Sequence, residues 1–240
     1  MTERSYDDYA ELEENLKRVE EEICAACAAA GRRREEVRLL AVTKTVPIER
    51  INRAIEFGVR QIGENRVQEY LQKSDALLCP VETHLIGHLQ TNKVNAIVGK
   101  VDMIESVDSL RLAEMISRRS QTLGIITQVL VEVNIGGEES KSGVAPDKLD
   151  ELLEKISPLP GIKVRGLMTI APILTEERKK RAVFSKMLRL FVDKQGKKMD
   201  NIDMRELSMG MSGDFREAIA EGSTIVRIGS AIFGKRDYSI

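Results

Sequence analysis

Eight short runs rich in β-branched residues alternate with amphipathic helical patterns along most of the chain. The runs are VRLLAVT, VRQIG, THLIG, VDMIES, TQVLVEVN, VRGLMT, RELSM and TIVRIG. Several of the segments between them carry apolar residues three or four positions apart, which is the spacing of one helix face. Alternating strands and helices predict a parallel sheet. Eight such units predict an α/β fold of the closed (β/α)8 TIM-barrel type. An open doubly wound sheet is the alternative, but the G-x-G-x-x-G that often follows its first strand is absent.

An additional helix precedes the first unit. Residues 5–30 space their apolar side chains three or four apart, and Gly31 is a typical residue at a helix end. No linker rich in Pro, Gly or Ser divides the chain, and its composition does not change along its length. We therefore predict a single domain over residues 1–240, with an N-terminal helix in residues 1–31 that packs on the barrel.

The composition limits the location and the partners of the protein. The 240 residues include 37 Lys and Arg and 38 Asp and Glu. The chain therefore has no excess of positive charge that would indicate binding to nucleic acid. The acidic N-terminus has no signal-peptide core, and no apolar run is long enough to cross a membrane. Three cysteines fit a reducing compartment, and the CxxC of Cys24 and Cys27 is predicted to pack in the core rather than to bind zinc. These features predict a cytoplasmic protein and, because no exposed apolar helix stands out, a monomer.

A lysine at the end of the first predicted strand is the first candidate for chemistry. Period-two alternation places Lys44 on the same face as Leu40 and Val42, which points into the lumen of a barrel. Barrel active sites lie at this end of the strands. Partial burial there would lower the pKa of the amine below about 10.4, and a neutral amine forms a Schiff base with an aldehyde. A lysine that reaches out to water or pairs with a carboxylate is the alternative.

Two small-residue turns near the C-terminus supply the context for this lysine. Ser208 follows the seventh predicted strand, with Ser212 close behind it. Gly229 and Ser230 follow the eighth. Glycines let a backbone approach a ligand, and serine hydroxyls and N–H groups at such turns bind phosphate. Loops after strands seven and eight are the usual phosphate site of a barrel. Ordinary turn chemistry explains each turn alone, but the turns together with Lys44 predict pyridoxal 5′-phosphate as a cofactor.

Arg227 lies on the eighth predicted strand beside the second turn. Its guanidinium could meet the pyridine nitrogen of the cofactor and, because arginine accepts no proton, keep that nitrogen unprotonated. Such a ring is a poor electron sink, which restrains carbanion chemistry. A charge on the barrel rim that pairs with a carboxylate is an equally good interpretation.

Two further features carry less information. No metal site is predicted at His84 and His88, because Gly87 between them follows a strand and no HExxH pattern is present. The polar stretch at 138–143 is interpreted either as a mobile loop over the barrel mouth or as a solvated loop.

Seven stretches of the chain match a known family in order, and they are LLAVTKTVP, IGENRVQEY, HLIGHLQTNK, IESVDSL, VEVNIGGEESKSGV, VRGLMTIAP and LSMGMSGDFREAIAEGSTIVRIGSAIFG. Through these stretches the chain resembles the pyridoxal phosphate homeostasis proteins, whose fold is similar to the N-terminal barrel of alanine racemase, the fold-type III barrel. Two positions depart from the family pattern: Thr83 stands where members often have Trp, and Ile62 where they often have Phe. Both changes affect packing near the pocket more than its chemistry.

The resemblance implies a set of cofactor contacts and a function. Lys44 would carry the cofactor as a Schiff base, and Arg227 would face the ring nitrogen. The protein would bind pyridoxal phosphate and supply it, for example to cofactor-free enzymes, without turnover and without a catalytic residue of its own. The other implied contacts are Asn65, which would line the pocket, and, around the phosphate, Ser208, Gly229 and Ser230.

Two enzymatic functions are the alternatives. A small racemase-like enzyme needs a proton donor and an acceptor on opposite faces of its substrate, and only Lys44 can be named. Related racemases take a tyrosine from a second domain, for which we expect no room in a chain that ends at Ile240. A Schiff-base aldolase acting on a phosphosugar would also use a lysine and a phosphate site, but such lysines usually lie on a middle strand.

Overall fold

The computed structural model describes residues 3–138 and 141–234. Its eight strands are all parallel and close into a barrel in the order β1 to β8. The prediction of a (β/α)8 barrel preceded by one helix is therefore confirmed. The predicted domain ends and part of the predicted 138–143 loop lie outside the described residues. The elements are α1 Glu3–Ala29, β1 Arg38–Val42, α2 Ile48–Glu56, β2 Gln61–Glu64, α3 Val67–Lys73, β3 Glu82–Leu85, α4 Val94–Ile97, β4 Met103–Val107, α5 Leu110–Leu123, β5 Thr127–Glu132, α6 Leu149–Ile156, β6 Ile162–Met168, α7 Glu177–Gln195, β7 Ile202–Met211, α8 Phe215–Ala220, β8 Ile225–Ile228 and α9 Ser230–Phe233.

The barrel closes between β8 and β1, where Leu40 pairs with Arg227. The neighbouring β7–β8 ladder is irregular, because its register shifts between Ser208 and Met211. Gly210 lies in this shift with a φ of +93°, a conformation that glycine adopts without strain. The shift redirects the end of β7, so the residues that follow Met211, rather than Ser208, reach the barrel mouth.

Helix α1 packs its apolar face on the barrel, as its spacing predicts. Cys27 is buried in this layer, but Cys24 is exposed and its thiol lies 3.7 Å from Glu20 Oε1. The prediction that both cysteines pack in the core is therefore wrong for Cys24, which lies three residues earlier, on the solvent side of the helix. The other buried α1 residues of this face are Leu12, Leu16, Val19 and Ile23.

Two helix starts show how the loops enter the helices. Pro47 lies at the N-cap of α2. Asp214 occupies the N-cap of α8 but makes no side-chain cap; its carboxylate instead accepts a hydrogen bond from Met211 N at 2.6 Å. That bond belongs to the turn after β7, since it ties the end of this strand to the start of α8.

The lumen is partly apolar and partly charged. One apolar cluster joins β1, the end of β3 and β8, and a second joins Met103, Leu130 and Met168. Charged side chains are buried as well, among them His84, Glu105 and Arg227, so the interior of the barrel is not purely hydrophobic. Within the two described ranges, no helix combines the length and the apolar character that crossing a bilayer requires.

Candidate functional site

A pocket of about 300 Å³ opens at the C-terminal ends of the strands. This volume lies at the lower end of the range of small-molecule sites, roughly 300–1,000 Å³. One wall is apolar, and the rest combines an amine, an amide, a guanidinium and two turns of Ser and Gly. The lining residues are Val42, Lys44, Asn65, Ile86, Ile170, Met211, Ser212, Gly213, Arg227, Gly229 and Ser230. The fold thus brings together five of the six residues predicted as cofactor contacts.

Lys44 is half-buried and lies in the turn after β1, not on the strand. The strand ends at Val42, and a hydrogen bond of 3.0 Å from Val46 N to Thr43 O closes the turn. Thr45 has a φ of +61°, which is unusual for a β-branched residue and marks a tightly held backbone. Lys44 therefore lies two residues beyond the last residue of β1, and its side chain lines the pocket.

A buried polar network beneath the turn holds this backbone. Lys73 Nζ donates to Thr43 O at 3.0 Å and to Glu69 Oε1 at 2.6 Å. Glu69 also accepts from the backbone N–H of Thr45. Glu64 Oε1 accepts from the Thr43 hydroxyl at 2.6 Å, and burial raises the pKa of this carboxyl above its usual value. Sequence analysis missed these groups, because nothing in GENRVQEY says which of its charges point beneath the lysine turn.

Arg227 forms the floor of the pocket and is only 4% exposed. Its Nη1 donates to Ser208 Oγ and its Nη2 to the carbonyl oxygen of Thr169, each at 2.7 Å. Burial lowers the pKa of the guanidinium, although the carboxylate of Glu105 opposes this shift. An arginine is so basic that it stays charged in either case. The Arg227 guanidinium is therefore a permanent cation beneath the pocket, and two hydrogen bonds fix its orientation.

The turn after β7 and the turn after β8 meet at Ser212. The Ser212 hydroxyl accepts hydrogen bonds from Gly229 N at 3.2 Å and from Ala231 N at 3.4 Å. Ser230 is exposed at the same edge of the pocket. Hydroxyls and backbone N–H groups at such turns are the donors that phosphate prefers.

Ser208 does not lie in this turn, so its predicted position after the seventh strand is wrong. It is a residue of β7, is fully buried, and contacts Glu105 and Arg227 instead of lining the pocket. Strand β7 continues past Ser208, through a register shift, to Met211. Ser212, which the sequence places close behind Ser208, is the serine that lines the pocket. The SMGMSGD pattern holds both serines and does not show which of them reaches the mouth.

Asn65 follows β2 and is half-buried at the pocket wall. Gly87, after β3, packs directly on it: a Cβ at this position would lie 2.2 Å from the carbonyl oxygen of Asn65. Only glycine permits this close approach. The glycine between the two histidines therefore shapes the pocket wall.

His84 lies inside the barrel with both ring nitrogens bonded to carboxylates. Its Nδ1 is 2.6 Å from Glu105 Oε1 and its Nε2 is 2.9 Å from Glu82 Oε1. Burial disfavours the imidazolium, but these two hydrogen bonds outweigh it and raise the pKa of His84 to about 9. The same contact with His84 is the main cause that lowers the pKa of Glu82 to about 2. In the described part of the chain, no three His, Cys, Asp or Glu side chains are grouped as a metal site would require.

A further buried carboxyl group, that of Glu132, lies on the strand opposite β1. Glu132 ends β5, which is opposite β1 in the closed barrel, and it is only 5% exposed. Its face is the luminal one, since Leu130 two residues earlier packs inside the barrel. Burial, with a contribution from Asp108, raises the pKa of Glu132 to about 7. Sequence reasoning missed this acid, because burial and not residue type makes it unusual.

Comparisons with known proteins agree with this geometry. Residues 8–237 match the family model of the alanine racemase N-terminal domain. A pyridoxal phosphate homeostasis protein of Aquifex aeolicus is 48% identical over 226 residues, which cover 94% of this chain and 98% of that protein. One from Pseudomonas aeruginosa is 40% identical over 228 residues, which cover 95% and 96%. Neither name describes an enzyme.

A solved structure extends the comparison to a bound cofactor. The structure of PipY from Synechococcus elongatus PCC7942, with PLP bound, superposes with a TM-score of 0.78 at 35% identity and covers 88% of this chain and 100% of that chain. The matched family model, the close relatives and the closed barrel all agree with the resemblance seen in the motifs. This chain belongs to the pyridoxal phosphate homeostasis protein family.

Proposed function

We propose that this protein binds pyridoxal 5′-phosphate in the pocket at the barrel mouth and serves cofactor homeostasis, holding the cofactor on Lys44 as a Schiff base and delivering it without turnover. The observation that carries the proposal is the convergence of three groups on one pocket: the Lys44 amine, the Arg227 guanidinium and the Ser212 turn. The PLP-bound state of the PipY structure and the names of the relatives support the choice of ligand.

The donor set fits each part of this cofactor. A primary amine matches its aldehyde, and a turn of Ser and Gly with converging N–H groups matches its phosphate. The apolar side chains of Val42, Ile86 and Ile170 match the faces of its ring. Ser212, Gly229 and Ser230 would hold the phosphate end; Ser208, the serine first predicted for this role, is buried behind Arg227.

The cofactor, when bound, supplies an aldehyde for reversible capture by amines and a ring that can act as an electron sink. Arg227 would limit the second property, because a guanidinium that faced the ring nitrogen could only donate to it and would keep that nitrogen unprotonated. The network of Glu64, Glu69 and Lys73 orients the turn that carries Lys44. These roles favour a protein that holds and releases its cofactor over one that uses it for carbanion chemistry.

The test is reconstitution of the purified protein with the cofactor. We expect a yellow protein that borohydride converts to one stable adduct per chain, located at Lys44 by peptide mass analysis. Lys44→Ala should lose the adduct, whereas Lys155→Ala, on the exposed face of α6, should keep it. A wild-type protein that stays colourless and takes up no cofactor would defeat the proposal.

Delivery needs its own measurement. Holo-protein is mixed with a cofactor-free acceptor enzyme, and the recovered acceptor activity is compared with that from the same amount of free cofactor, with and without a scavenger of free cofactor. Delivery predicts recovery that survives the scavenger. Recovery that the scavenger abolishes would leave binding intact but contradict delivery. The cytoplasmic location and the monomeric state stay predictions, and sedimentation analysis of the holo-protein tests the second.

The buried carboxyl of Glu132 favours one second candidate function, that of a racemase-like amino-acid enzyme. Such an enzyme needs a proton-transfer group besides Lys44, and a carboxyl with a pKa of about 7 opposite β1 is suited to general acid–base chemistry. Incubating holo-protein with single amino acids in deuterated water separates the two functions. Rapid exchange of an α-proton that is lost in Glu132→Gln would favour the enzyme, and its absence would favour the carrier.

A further inference from the structure

A column of polar and charged side chains crosses the lumen from the pocket to the opposite end of the barrel. It begins at Arg227, whose Nη1 donates to Ser208 Oγ at 2.7 Å. Ser208 Oγ in turn donates to Glu105 Oε2 at 2.6 Å, and Glu105 Oε1 contacts His84 Nδ1 at 2.6 Å. His84 Nε2 then contacts Glu82 Oε1 at 2.9 Å, where the column ends at a partly exposed carboxylate. The column therefore links β8, β7, β4 and β3.

The hydrogen-bond roles along the column are fixed by chemistry. A guanidinium only donates and a carboxylate only accepts, so the Ser208 hydroxyl must accept from Arg227 and donate to Glu105. Both nitrogens of His84 face carboxyl groups whose pKa is lowered and which are therefore ionised, so both nitrogens donate and the ring is an imidazolium. The resulting charges alternate: Glu82 negative, His84 positive, Glu105 negative, Arg227 positive.

This alternation explains how Arg227 can be buried as a cation. A buried charge needs a partner, since desolvation otherwise disfavours it strongly. Glu105 is itself fully buried and is matched by His84 on its other side. Only Glu82, at the far end, reaches solvent, where it also accepts from Gln61 Nε2 at 2.6 Å.

We infer that Ser208 and Glu105, backed by His84, are positioning residues that set the orientation of the Arg227 guanidinium towards the cofactor ring. The inference rests on the proposed function, since it assigns a role within the same site. Two of the five N–H groups of Arg227 are directed away from the pocket, to Ser208 and to the carbonyl oxygen of Thr169. Because the guanidinium is planar and rigid, these two hydrogen bonds also fix the directions of its remaining N–H groups.

A purely structural ion-pair column is the competing explanation, and it makes a different prediction. If the column only stabilised the barrel, breaking it would lower the melting temperature of the cofactor-free protein without changing how the cofactor is held. If it positions Arg227, breaking it changes the bound cofactor itself. Pyridoxal phosphate is achiral, so its circular dichroism in the visible band comes from its fixed orientation in the protein and reports this change directly.

The test compares Ser208→Ala with Ser106→Ala in the reconstituted holo-protein. Ser106 is the matched control: it is fully buried on β4 next to Glu105, and its hydroxyl has no hydrogen-bond partner among the described residues. We expect Ser208→Ala to weaken cofactor binding about tenfold, as loss of one hydrogen bond to a charged group does. The visible circular dichroism should also fall, while the borohydride adduct at Lys44 still forms. Ser106→Ala should leave affinity and dichroism at wild-type values.

Glu105→Gln provides a second variant that keeps the shape of the side chain but removes its charge. It should reduce affinity and dichroism at least as much as Ser208→Ala; if it does not fold, the Ser208 comparison alone decides. Wild-type affinity and dichroism in Ser208→Ala, with a normal adduct, would overturn the inference and leave the proposed function standing. A wild-type protein that forms no adduct would instead overturn the proposed function and this inference together.

Discussion

Replacing Glu132 by glutamine tests whether burial controls the charge at the barrel mouth. The pKa of Glu132 is raised from 4.5 to about 7, mainly because the side chain is buried. The native state therefore binds the proton more tightly than the unfolded state does. The stability that this proton contributes is complete below about pH 4.5 and is lost as the pH rises through about 7.

The magnitude follows from the shift. About 2.5 pKa units correspond to about 3 kcal/mol, lost at about 1.4 kcal/mol per pH unit between the two pKa values. The amide introduced by Glu132→Gln carries no charge at any pH, so this variant should gain stability relative to the wild type by about 2–3 kcal/mol between roughly pH 5 and pH 8. The absolute difference in unfolding free energy depends on the hydrogen bonds that the amide makes. The change of this difference with pH does not depend on them.

Urea unfolding of the cofactor-free protein across this pH range measures the difference. Glu154→Gln, at an exposed position on α6, is the matched control for the substitution itself. A Glu132→Gln difference that does not change with pH would refute the reasoning, since it would mean that the Glu132 carboxyl titrates as in the unfolded chain. A carboxyl NMR titration of the wild type gives the pKa without any variant.

Three further predictions concern the interior and the pocket wall. The pKa of His84 is raised from 6.5 to about 9, so the stability that its proton contributes is complete below about pH 6.5 and is lost as the pH rises through about 9. In His84→Gln the melting temperature should therefore fall less over this pH range than it does in the wild type. Gly166→Ala would place a Cβ 1.8 Å from a β7 carbonyl oxygen and should cost about 3 kcal/mol or more in urea unfolding. Gly87→Ala would press on Asn65 and should weaken cofactor binding in a spectral titration. Gly196→Ala, with open space around its Cβ, is the control for both glycines, and an equal effect there would contradict the steric argument.

The strands, the helices and the barrel could be predicted because they depend on local patterns. A β-branched run and a helical stripe are readable within one segment, and eight alternating units leave few ways to bury every apolar face. Lys44, Arg227 and the Gly229 turn follow from the same rule, since the C-terminal strand ends of a barrel meet at one mouth. The lysine and the two turns together predicted the cofactor, and the motif resemblance implied the same one.

What the sequence alone could not decide are the contacts between distant segments. Ser208 and Ser212 lie in one short motif, and only the register shift in β7 places one behind Arg227 and the other at the mouth. Glu105 and Ser208 are 103 positions apart, yet their side chains meet inside the lumen. Periodicity assigns a residue to a face, whereas its partner across the barrel and its degree of desolvation depend on the closure of all eight strands. The charges of Glu132 and His84 are therefore properties of the tertiary structure.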